Sequence, residues 1–566
     1  LLVPLDAERQ WFRYHGLLRD FLRPKVNTSQ ARHIHRAAAQ WLAHATDWVH
    51  AVAYALRAKD TQLAISLVVR AGGWALVLRH GIRYAQSLVQ QFDVHTRHTS
   101  PDLLLLQAYL HAKLGHHALC AQLLRLAQNY VQGEPRLVRD FHLIRTLSNA
   151  YMDHFESANE ERPCPWTGIP DEMLLQATLE CVGTLALLIR GDIEGALLSI
   201  RAAKIKMRLV ASPRGEIYCS IHESQALALS GDVRASERLI DEALTCVLRE
   251  FGGESSLKAV TGCLKAQHCY WQGNWTQVTP WLKDGWASLE HADGWLEIVA
   301  NTAEVAWRTT LRAKGMQPAL LELDHVSMHA TARNWKRLHL LVQAWRVDLW
   351  VQCGLLVQAR KEAAQADLET AAATLDDWRT RLAITLALAR LEIATGAALV
   401  ALNRLQREGH RVRDKGLLLL SWRLDLMALA ATCKSHIEIN PQEITRILAS
   451  VAQEALPGLL MEVGPWLLPA LERTQDARPC LPRLISRLRG WRAHPVRPKI
   501  PLSSKETQVL SLLAHGQPNK IIAQGLNLSE NTVKFHLKNI YTKLGVDNRT
   551  AAIHAAMQQG LLDPAH

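Results

Sequence analysis

Seven glycines recur at nearly constant spacing along most of this chain, each between two Ala- and Leu-rich stretches: Gly115, Gly191, Gly231, Gly273, Gly315, Gly354 and Gly396. The intervals between them are 76, 40, 42, 42, 39 and 42 residues, and 76 is close to twice 38. A period near 40 built from apolar helix, glycine turn and apolar helix is typical of an α-solenoid, because one helix pair cannot bury its own apolar face but a stack can. The spacing therefore predicts a long helical array.

The text around these glycines resembles tetratricopeptide-like repeats, with small residues where paired helices approach, although the period is longer than the 34-residue consensus. A stack of such pairs leaves a concave surface. The sequence predicts an all-α protein in which residues 26–475 form a tetratricopeptide-like α-solenoid, a sensor or oligomerisation array.

The C-terminal segment, residues 501–566, has the start and stop signals of four short helices. Ser503 with Glu506 forms an S-x-x-E capping box at the start of the first helix, and Gly516 is a left-handed cap after it. Pro518 and Asn519 open the second helix. Ser529 then caps a third helix predicted over residues 530–544, Gly545 ends it, and a fourth helix follows to about residue 556.

The third helix of this segment has one apolar face and one polar, basic face. Val533, Leu537, Ile540 and Leu544 are spaced 4, 3 and 4 residues apart and form one buried stripe. A major groove admits a helix whose outer face reaches base edges, which predicts base reading by Asn531, Lys534, Phe535 and Lys538. We expect phosphate contacts, which fix register, from Asn519, Lys520, Thr532, Lys543 and Arg549.

This segment resembles the LuxR-type, or GerE-like, helix-turn-helix domain of bacterial transcription regulators. The match includes Leu502, Ser503, Glu506, Val509, Leu510, Leu512, Ala514, Gly516, Asn519, Lys520, Ala523, Leu526, Leu528, Ser529, Thr532, Val533, Lys534, His536, Asn539, Ile540, Lys543, Leu544, Gly545, Val546 and Arg549. The resemblance implies DNA contacts at Lys534, Phe535 and Lys538, and pairing of DNA-binding domains through the fourth helix. The chain departs from the family pattern at Lys505, Pro518 and Ile521, which could alter affinity or specificity.

A basic, proline-rich stretch precedes this domain and predicts a linker over residues 476–500. Residues 477–500 hold six Arg and Lys499 with no acidic residue, and residues 477–566 carry +9 of the chain's net charge of +12. Such a strip favours salt-dependent attraction to phosphates. A solvated linker with no direct role in binding stays open as the alternative.

The first 25 residues resemble the connector of MalT-like regulators, the large ATP-binding LuxR group. The similarity lies in Leu2–Asp6, Trp11–His15 and Leu17–Leu22. In that group the connector follows a nucleotide-binding module, and a small-molecule inducer acts on the helical region. No phosphate-binding G-x-x-x-x-G-K-[ST] loop occurs in this sequence. We therefore expect a piece of a longer regulator with no cofactor of its own, ATP belonging only to a missing N-terminal module.

The sequence shows no motif of a catalytic or metal centre. H-E-x-x-H, G-x-S-x-G and C-x-x-C are absent. The 26 histidines are scattered, and the pairs His116–His117 and His33-x-His35 are predicted to be surface residues rather than ligands. The ten cysteines lack paired spacing, which fits a reducing cytosol. These patterns favour a cytoplasmic protein that is not an enzyme, holds no metal and has no membrane contact, and the LuxR-type resemblance implies that it is bacterial.

Six of the 18 tryptophans lie between residues 271 and 307. An aromatic cluster on a concave face can hold a small ligand, so Trp271, Trp275 and Trp281 are candidate effector-binding residues. Packing between helices is the alternative interpretation of the same cluster.

Together these patterns predict a sequence-specific, DNA-binding transcriptional regulator, an activator, whose array senses an effector or partner and controls DNA binding. The predicted partners are double-stranded DNA, a second copy of the chain on DNA, a small-molecule inducer or regulatory protein, and RNA polymerase. One alternative is a solenoid scaffold for protein interaction with secondary or idle DNA binding. Another is an inducer-gated ATPase regulator of which this chain is the output half.

Overall fold

The computed structural model describes residues 2–4, 12–131, 134–154, 172–253, 255–291, 294–435, 437, 441–473, 485–486, 502–544 and 546–558. Most of the predicted basic linker and the predicted helix stop Gly545 lie outside these residues. The described residues fall into two compact units, one ending at Asn149 and one beginning at Ala150. The stretch predicted as a single array is thus divided between two units.

The first unit begins with a small antiparallel hairpin, in which Leu2–Pro4 pairs with Phe12–Tyr14. Strands of three residues are too short to show the alternation by which a strand is recognised in sequence. Single turns of 3-10 helix occur at Arg23–Lys25 and Gly73–Ala75. The α-helices are α1 (Gly16–Leu22), α2 (Thr28–His44), α3 (Trp48–Arg57), α4 (Thr61–Arg70), α5 (Leu76–His80), α6 (Ile82–Val89), α7 (Val94–Thr99), α8 (Pro101–Lys113), α9 (His117–Gln128) and α10 (Pro135–Met152), the last of which runs into the second unit.

The second unit continues with successive helices in antiparallel pairs. They are α11 (Glu172–Arg190), α12 (Ile193–Leu209), α13 (Pro213–Leu229), α14 (Val233–Phe251), α15 (Ser256–Trp271), α16 (Trp275–His291), α17 (Leu296–Lys314), α18 (Met316–Arg333), α19 (Lys336–Gln352), α20 (Leu356–Gln365), α21 (Leu368–Thr374), α22 (Trp378–Ala394), α23 (Ala398–Asp414), α24 (Leu418–Lys434), α25 (Pro441–Gln453), α26 (Pro457–Val463) and α27 (Leu468–Arg473), with a 3-10 turn at Gly464–Leu467.

The glycine spacing marks the turns inside these pairs, as the sequence predicts. All seven glycines have a positive φ, between 73° and 93°, which is a backbone conformation that residues with a Cβ atom rarely adopt. Each lies between the two helices of one pair, for example Gly231 between α13 and α14. After two of them the next residue caps the following helix: Asp192 and Asp232 each accept a hydrogen bond from the backbone N–H three residues on.

One described stretch, Met173–Arg190, is long and apolar enough to cross a membrane, and half of it is buried in the unit. A second candidate exists only if α4 and Gly73–His80 count as one span, although they are bent by 61°. A core helix of a helical array meets the same criteria.

The interior of the array combines apolar packing with buried ion pairs. Trp307, Trp335 and Trp345 are among its largest fully buried side chains. The Trp335 indole donates to the Tyr151 carbonyl at 3.1 Å, and the Trp378 indole donates to the Leu188 carbonyl at 2.6 Å. These indoles therefore join helices that are far apart in sequence.

Asp348 is the centre of one buried ionic cluster. It lies 3.0 Å from Arg308 and 2.6 Å from Arg390, and all three side chains are at most 8% exposed. Burial alone would raise the pKa of Asp348, but the two guanidinium groups hold it below its usual range. Nearby, Arg423 pairs with Glu304 at 2.5 Å and with Glu462 at 3.0 Å. Each carboxylate is thus satisfied by at least one arginine.

The C-terminal domain has the four predicted helices: α28 (Ser504–Ala514), α29 (Asn519–Leu526), α30 (Glu530–Leu544) and α31 (Arg549–Gln558). It has its own apolar core, in which Val509, Leu513, Ile522, Val533 and Ile540 are fully buried. The capping box is present: the Ser503 hydroxyl accepts from the Glu506 N–H and the Glu506 carboxylate accepts from the Ser503 N–H.

Candidate nucleic-acid interface

The turn between α29 and α30 fixes how the third helix of the domain is presented. Asn527 adopts the left-handed conformation, with φ 53°, at the end of α29. Asparagine tolerates this conformation better than most residues. The Leu528 N–H donates to the Ala523 carbonyl, and the Ser529 hydroxyl accepts from the Thr532 N–H at 3.1 Å. Hydrogen bonds therefore hold the turn on both sides.

The two faces of α30 separate as the sequence predicts. Its buried residues are Val533, Leu537, Ile540 and Leu544, which pack into the domain core. On the opposite face the Phe535 side chain is 61% exposed and the Lys534 side chain is 60% exposed. A single exposed ring is common on a protein surface, and this one lies beside exposed lysines on the face that is predicted to read DNA.

The four predicted base-reading residues lie together on this exposed face. Asn531, Lys534, Phe535 and Lys538 are all exposed, and their spacing of 3, 1 and 3 residues places them on one side of a helix. Lys534 lies 3.6 Å from Glu530 one turn earlier. An exposed ion pair of this kind contributes little stability. The Lys534 ammonium can therefore leave Glu530 and bind another acceptor at little cost in free energy.

The predicted phosphate-contacting residues divide into two groups. Lys520 is exposed near the start of α29, and Asn519 beside it is half-buried. The Thr532 hydroxyl lies 2.7 Å from that of Ser529 in the cap of α30. These three residues lie at helix starts, where exposed backbone N–H groups favour an anion.

Lys543 and Arg549 have structural partners within the domain. The Lys543 ammonium lies 2.5 Å from the Glu506 carboxylate, whereas Arg549 donates to the carbonyls of Leu513 and Gln517. Both cations thus brace α28 against the later helices. Their predicted contact with phosphate stays a prediction, and it would have to be made alongside these bonds.

Glu506 combines two roles, in the cap and in the pair. Its side chain is 5% exposed, and burial alone would raise the pKa of this carboxyl. Hydrogen bonds from Lys543 and from Ser503 overcome that cost and hold the pKa below its usual value. The capping-box motif predicts the role of Glu506 as a helix cap, but no sequence motif predicts its ion pair with Lys543.

The three candidate effector residues have different surroundings. Trp271 lines a cavity of about 50 Å³ inside the second unit, which is room for a few water molecules. Its other walls include Tyr270, Trp378 and the ion pairs of Arg379 with Glu297 and of Arg423 with Glu304. Trp378 and Trp271 are 107 positions apart in the sequence, and no sequence pattern indicates that they line the same cavity.

Trp275 and Trp281 do not line this cavity. The Arg312 guanidinium lies 3.2 Å from the centroid of the Trp275 ring, and the Trp275 indole donates to the Tyr270 carbonyl at 3.3 Å. Trp281 packs against Gly262, where an added Cβ would lie 3.2 Å from the ring. Both rings pack between helices, which was the alternative interpretation; an effector role for the three tryptophans stays a prediction.

Within the part of the chain that the structure describes, no group of three or more His, Cys, Asp and Glu side chains is placed to hold a metal ion. The charged clusters described in the array pair arginine or lysine with carboxylates, as Arg308 with Asp348 and Lys265 with Glu237. The exposed face of α30 and the cavity beside Trp271 are two places in the described part of the chain where the residues predicted to bind a ligand are found.

Comparison with known proteins agrees with the geometry of the C-terminal domain. The family model for bacterial regulatory proteins of the luxR family, GerE, matches residues 500–556. The "Probable transcriptional regulatory protein NarL" of Mycobacterium tuberculosis is 45% identical over 85 residues, which is 14% of this chain and 38% of that protein.

Two longer matches extend along the whole chain. The "HTH-type transcriptional regulator MalT" of Vibrio campbellii is 22% identical over 617 residues, and that of Cronobacter sakazakii is 23% identical over 624 residues. Each alignment covers 98% of this chain, whereas the chain spans 65% of the length of these relatives. The chain thus carries a C-terminal helix-turn-helix domain of the luxR family of bacterial regulatory proteins, and along nearly all of its length it is similar to regulators of the MalT type.

Proposed function

We propose that this protein is a sequence-specific DNA-binding transcriptional regulator in which α30 enters the major groove. The observation that carries the proposal is the exposed face of α30, where Lys534, Phe535 and Lys538 lie together opposite the buried stripe. Lysine donates to guanine O6 and N7, and an apolar ring contacts the methyl group of thymine. Lys520 and the helix starts beside it supply the phosphate contacts that set register.

We further propose that the array, residues 26–475, senses an effector or partner and thereby controls self-association on DNA, with residues 476–500 as the linker and residues 501–566 as the reader. The cavity beside Trp271 supports a place for an effector, because aromatic rings and paired charges line it. Its small volume means that a larger inducer would have to separate helices, which is one way to bias a two-state element. Activation, recruitment of RNA polymerase and a cytoplasmic location belong to the same proposal.

The test is selection of bound sequences from a random duplex pool over a series of salt concentrations. The double variant Lys534→Ala/Lys538→Ala is carried beside the wild-type chain, and Lys505→Ala, on α28, is the control for loss of charge alone. We expect the wild type and the control to enrich the same site and the double variant to lose it. Enrichment of that site by the double variant would contradict the assigned reading face.

A scaffold role is the second candidate, and exposed apolar side chains on the array favour it. Leu198 and Ile205 of α12 are 75% and 59% exposed, and Leu321 and Met328 of α18 are 67% and 64% exposed. In each helix the two residues are seven apart and so share a face. Capture of a protein partner that Leu198→Asp/Leu321→Asp abolishes, from a chain that enriches no DNA site, would favour this role.

A further inference from the structure

Two histidines of the first unit meet across a tight turn. His111 lies in the last turn of α8, and His116 is the residue before α9. Their Nδ1 atoms are 3.1 Å apart, and their ring centroids are 5.3 Å apart with the planes inclined by 37°. The sequence placed His116 beside His117 and gave no sign that His111 would be its neighbour.

The backbone of the turn fixes this arrangement. Gly115 has a φ of 76°, which brings the chain sharply round after α8. The His116 N–H then donates to the His111 carbonyl at 2.9 Å, and the Gly115 N–H donates to the Ala112 carbonyl at 3.1 Å. Because a backbone hydrogen bond already holds the two residues together, little further conformational entropy is lost when both rings bind the same ligand.

The separation of the two nitrogens is close to that of two ligands on one metal ion. Zinc–imidazole bonds are about 2.0–2.1 Å long and tetrahedrally arranged, so two nitrogens on one zinc ion lie about 3.3–3.4 Å apart, slightly more than the 3.1 Å between these two atoms. A hydrogen bond from one neutral ring to the other would give a similar distance. The two arrangements differ in chemistry, because a metal needs both Nδ1 atoms unprotonated whereas the hydrogen bond needs one protonated.

Access suits a metal. His116 is exposed and His111 is half-buried, so an ion can reach the pair from solvent.

We propose that His111 and His116 form a binding site for a divalent transition-metal ion of the imidazole-preferring class, with zinc as the probe. Two protein ligands hold the ion, and water occupies its other positions, since the described residues supply no third His, Cys, Asp or Glu at this place. Such an ion would tie the end of α8 to the start of α9. The proposal is independent of DNA binding, because it concerns only residues of the first unit.

The test is calorimetric titration of the full-length, tag-free chain with zinc at neutral pH, with His111→Gln, His116→Gln and the double variant alongside. His98→Gln is the matched control, since it removes an exposed histidine from the neighbouring helix α7. We expect each single variant to lose one equivalent of bound zinc, or to bind it at least tenfold more weakly. The double variant should lose no more than a single variant does, because both residues serve one site.

A second measurement guards against a variant that fails to fold. Zinc that binds only the native chain raises its thermal midpoint, so we expect a zinc-dependent rise in wild type and in His98→Gln that is smaller in His116→Gln. His116 is exposed, and the side-chain contact that its replacement removes is the one with His111. Equal zinc stoichiometry and affinity in wild type and His116→Gln would overturn the proposal and leave a hydrogen-bonded histidine pair.

Discussion

The helix-turn-helix domain and the helical array use charged side chains in opposite ways. On α30 the predicted reading lysines, Lys534 and Lys538, are exposed, and Lys534 approaches only the exposed Glu530, at 3.6 Å. In the array, Arg308, Arg390 and Arg423 are buried and each pairs with a carboxylate. A charge that must meet a ligand is kept in water, whereas a charge withdrawn from water has to be paired within the protein.

The two regions therefore differ in how well they tolerate the loss of a charged side chain. An exposed lysine can be lost at little cost to folding, and the loss appears when DNA is bound. The buried carboxylate of Asp348 cannot be lost in the same way, because two buried arginines would lose the partner they share, although Arg308 also pairs with Glu304 at 3.2 Å.

The strongest test of the comparison is Asp348→Ala. We expect the free energy of unfolding of the array to fall by about 3–5 kcal/mol, because Arg308 and Arg390 both lose their shared partner. Denaturant unfolding followed by circular dichroism measures the change. Asp324→Ala is the control: its side chain is 47% exposed in the pair with Arg346, so a loss of about 1 kcal/mol or less is expected. Similar losses in both variants would refute the distinction between buried and exposed pairs.

The next test moves to the DNA-binding domain, with Lys534→Ala and Lys520→Ala compared on a selected site and on an unrelated duplex. Lys534→Ala should cost about 1–3 kcal/mol on the selected site and little on the unrelated one. Lys520→Ala should weaken both about equally and lower the salt slope by about one. Titrations at several salt concentrations measure both effects. If Lys520→Ala alone changed sequence preference, the division between reading and positioning residues would be wrong.

Glu506→Gln tests an ion pair of the DNA-binding domain that resembles those of the array in having a buried carboxylate. Glutamine can still close the capping box, so the variant removes the charge that pairs with Lys543 and keeps the cap. We expect a loss of roughly 1 kcal/mol in the stability of the domain, since Lys543 is partly exposed.

The pH dependence of this variant gives a second, independent readout. Because folding lowers the pKa of Glu506, its contribution is present above the unfolded value of about 4.3 and is lost as pH falls through the folded pKa. Thermal midpoints of wild type and Glu506→Gln should therefore converge on acidification. Midpoints that stay equally separated at low pH would show that the pair does not stabilise the domain.

The smallest expected effect concerns the ring of Phe535. Replacing thymine by uracil in the selected site removes one methyl group, and we expect wild type to lose about 0.8 kcal/mol or less of binding energy where that ring packs on the methyl. Phe535→Ala should bind both duplexes equally. Fluorescence anisotropy with the two duplexes measures the difference. A thymine preference that persists in Phe535→Ala would assign the contact to another residue.

The sequence by itself determined the local elements and their order. The glycine period placed the turns because positive φ is a property of single residues, and the stripe from Val533 to Leu544 oriented α30 because helical periodicity is local. The luxR-family match at residues 500–556 agrees with that interpretation.

Only the tertiary structure decided which distant residues meet. It paired Asp348 with Arg308 and Arg390, and it placed Trp378 beside the cavity that Trp271 lines. It also paired Lys543 with Glu506, bonded Arg549 to the Leu513 carbonyl, and placed His111 against His116. Such contacts depend on how helices stack and on the conformation of the turns between them. The periodic pattern of residues along one helix shows which face is buried, but not which side chain of another helix that face will contact.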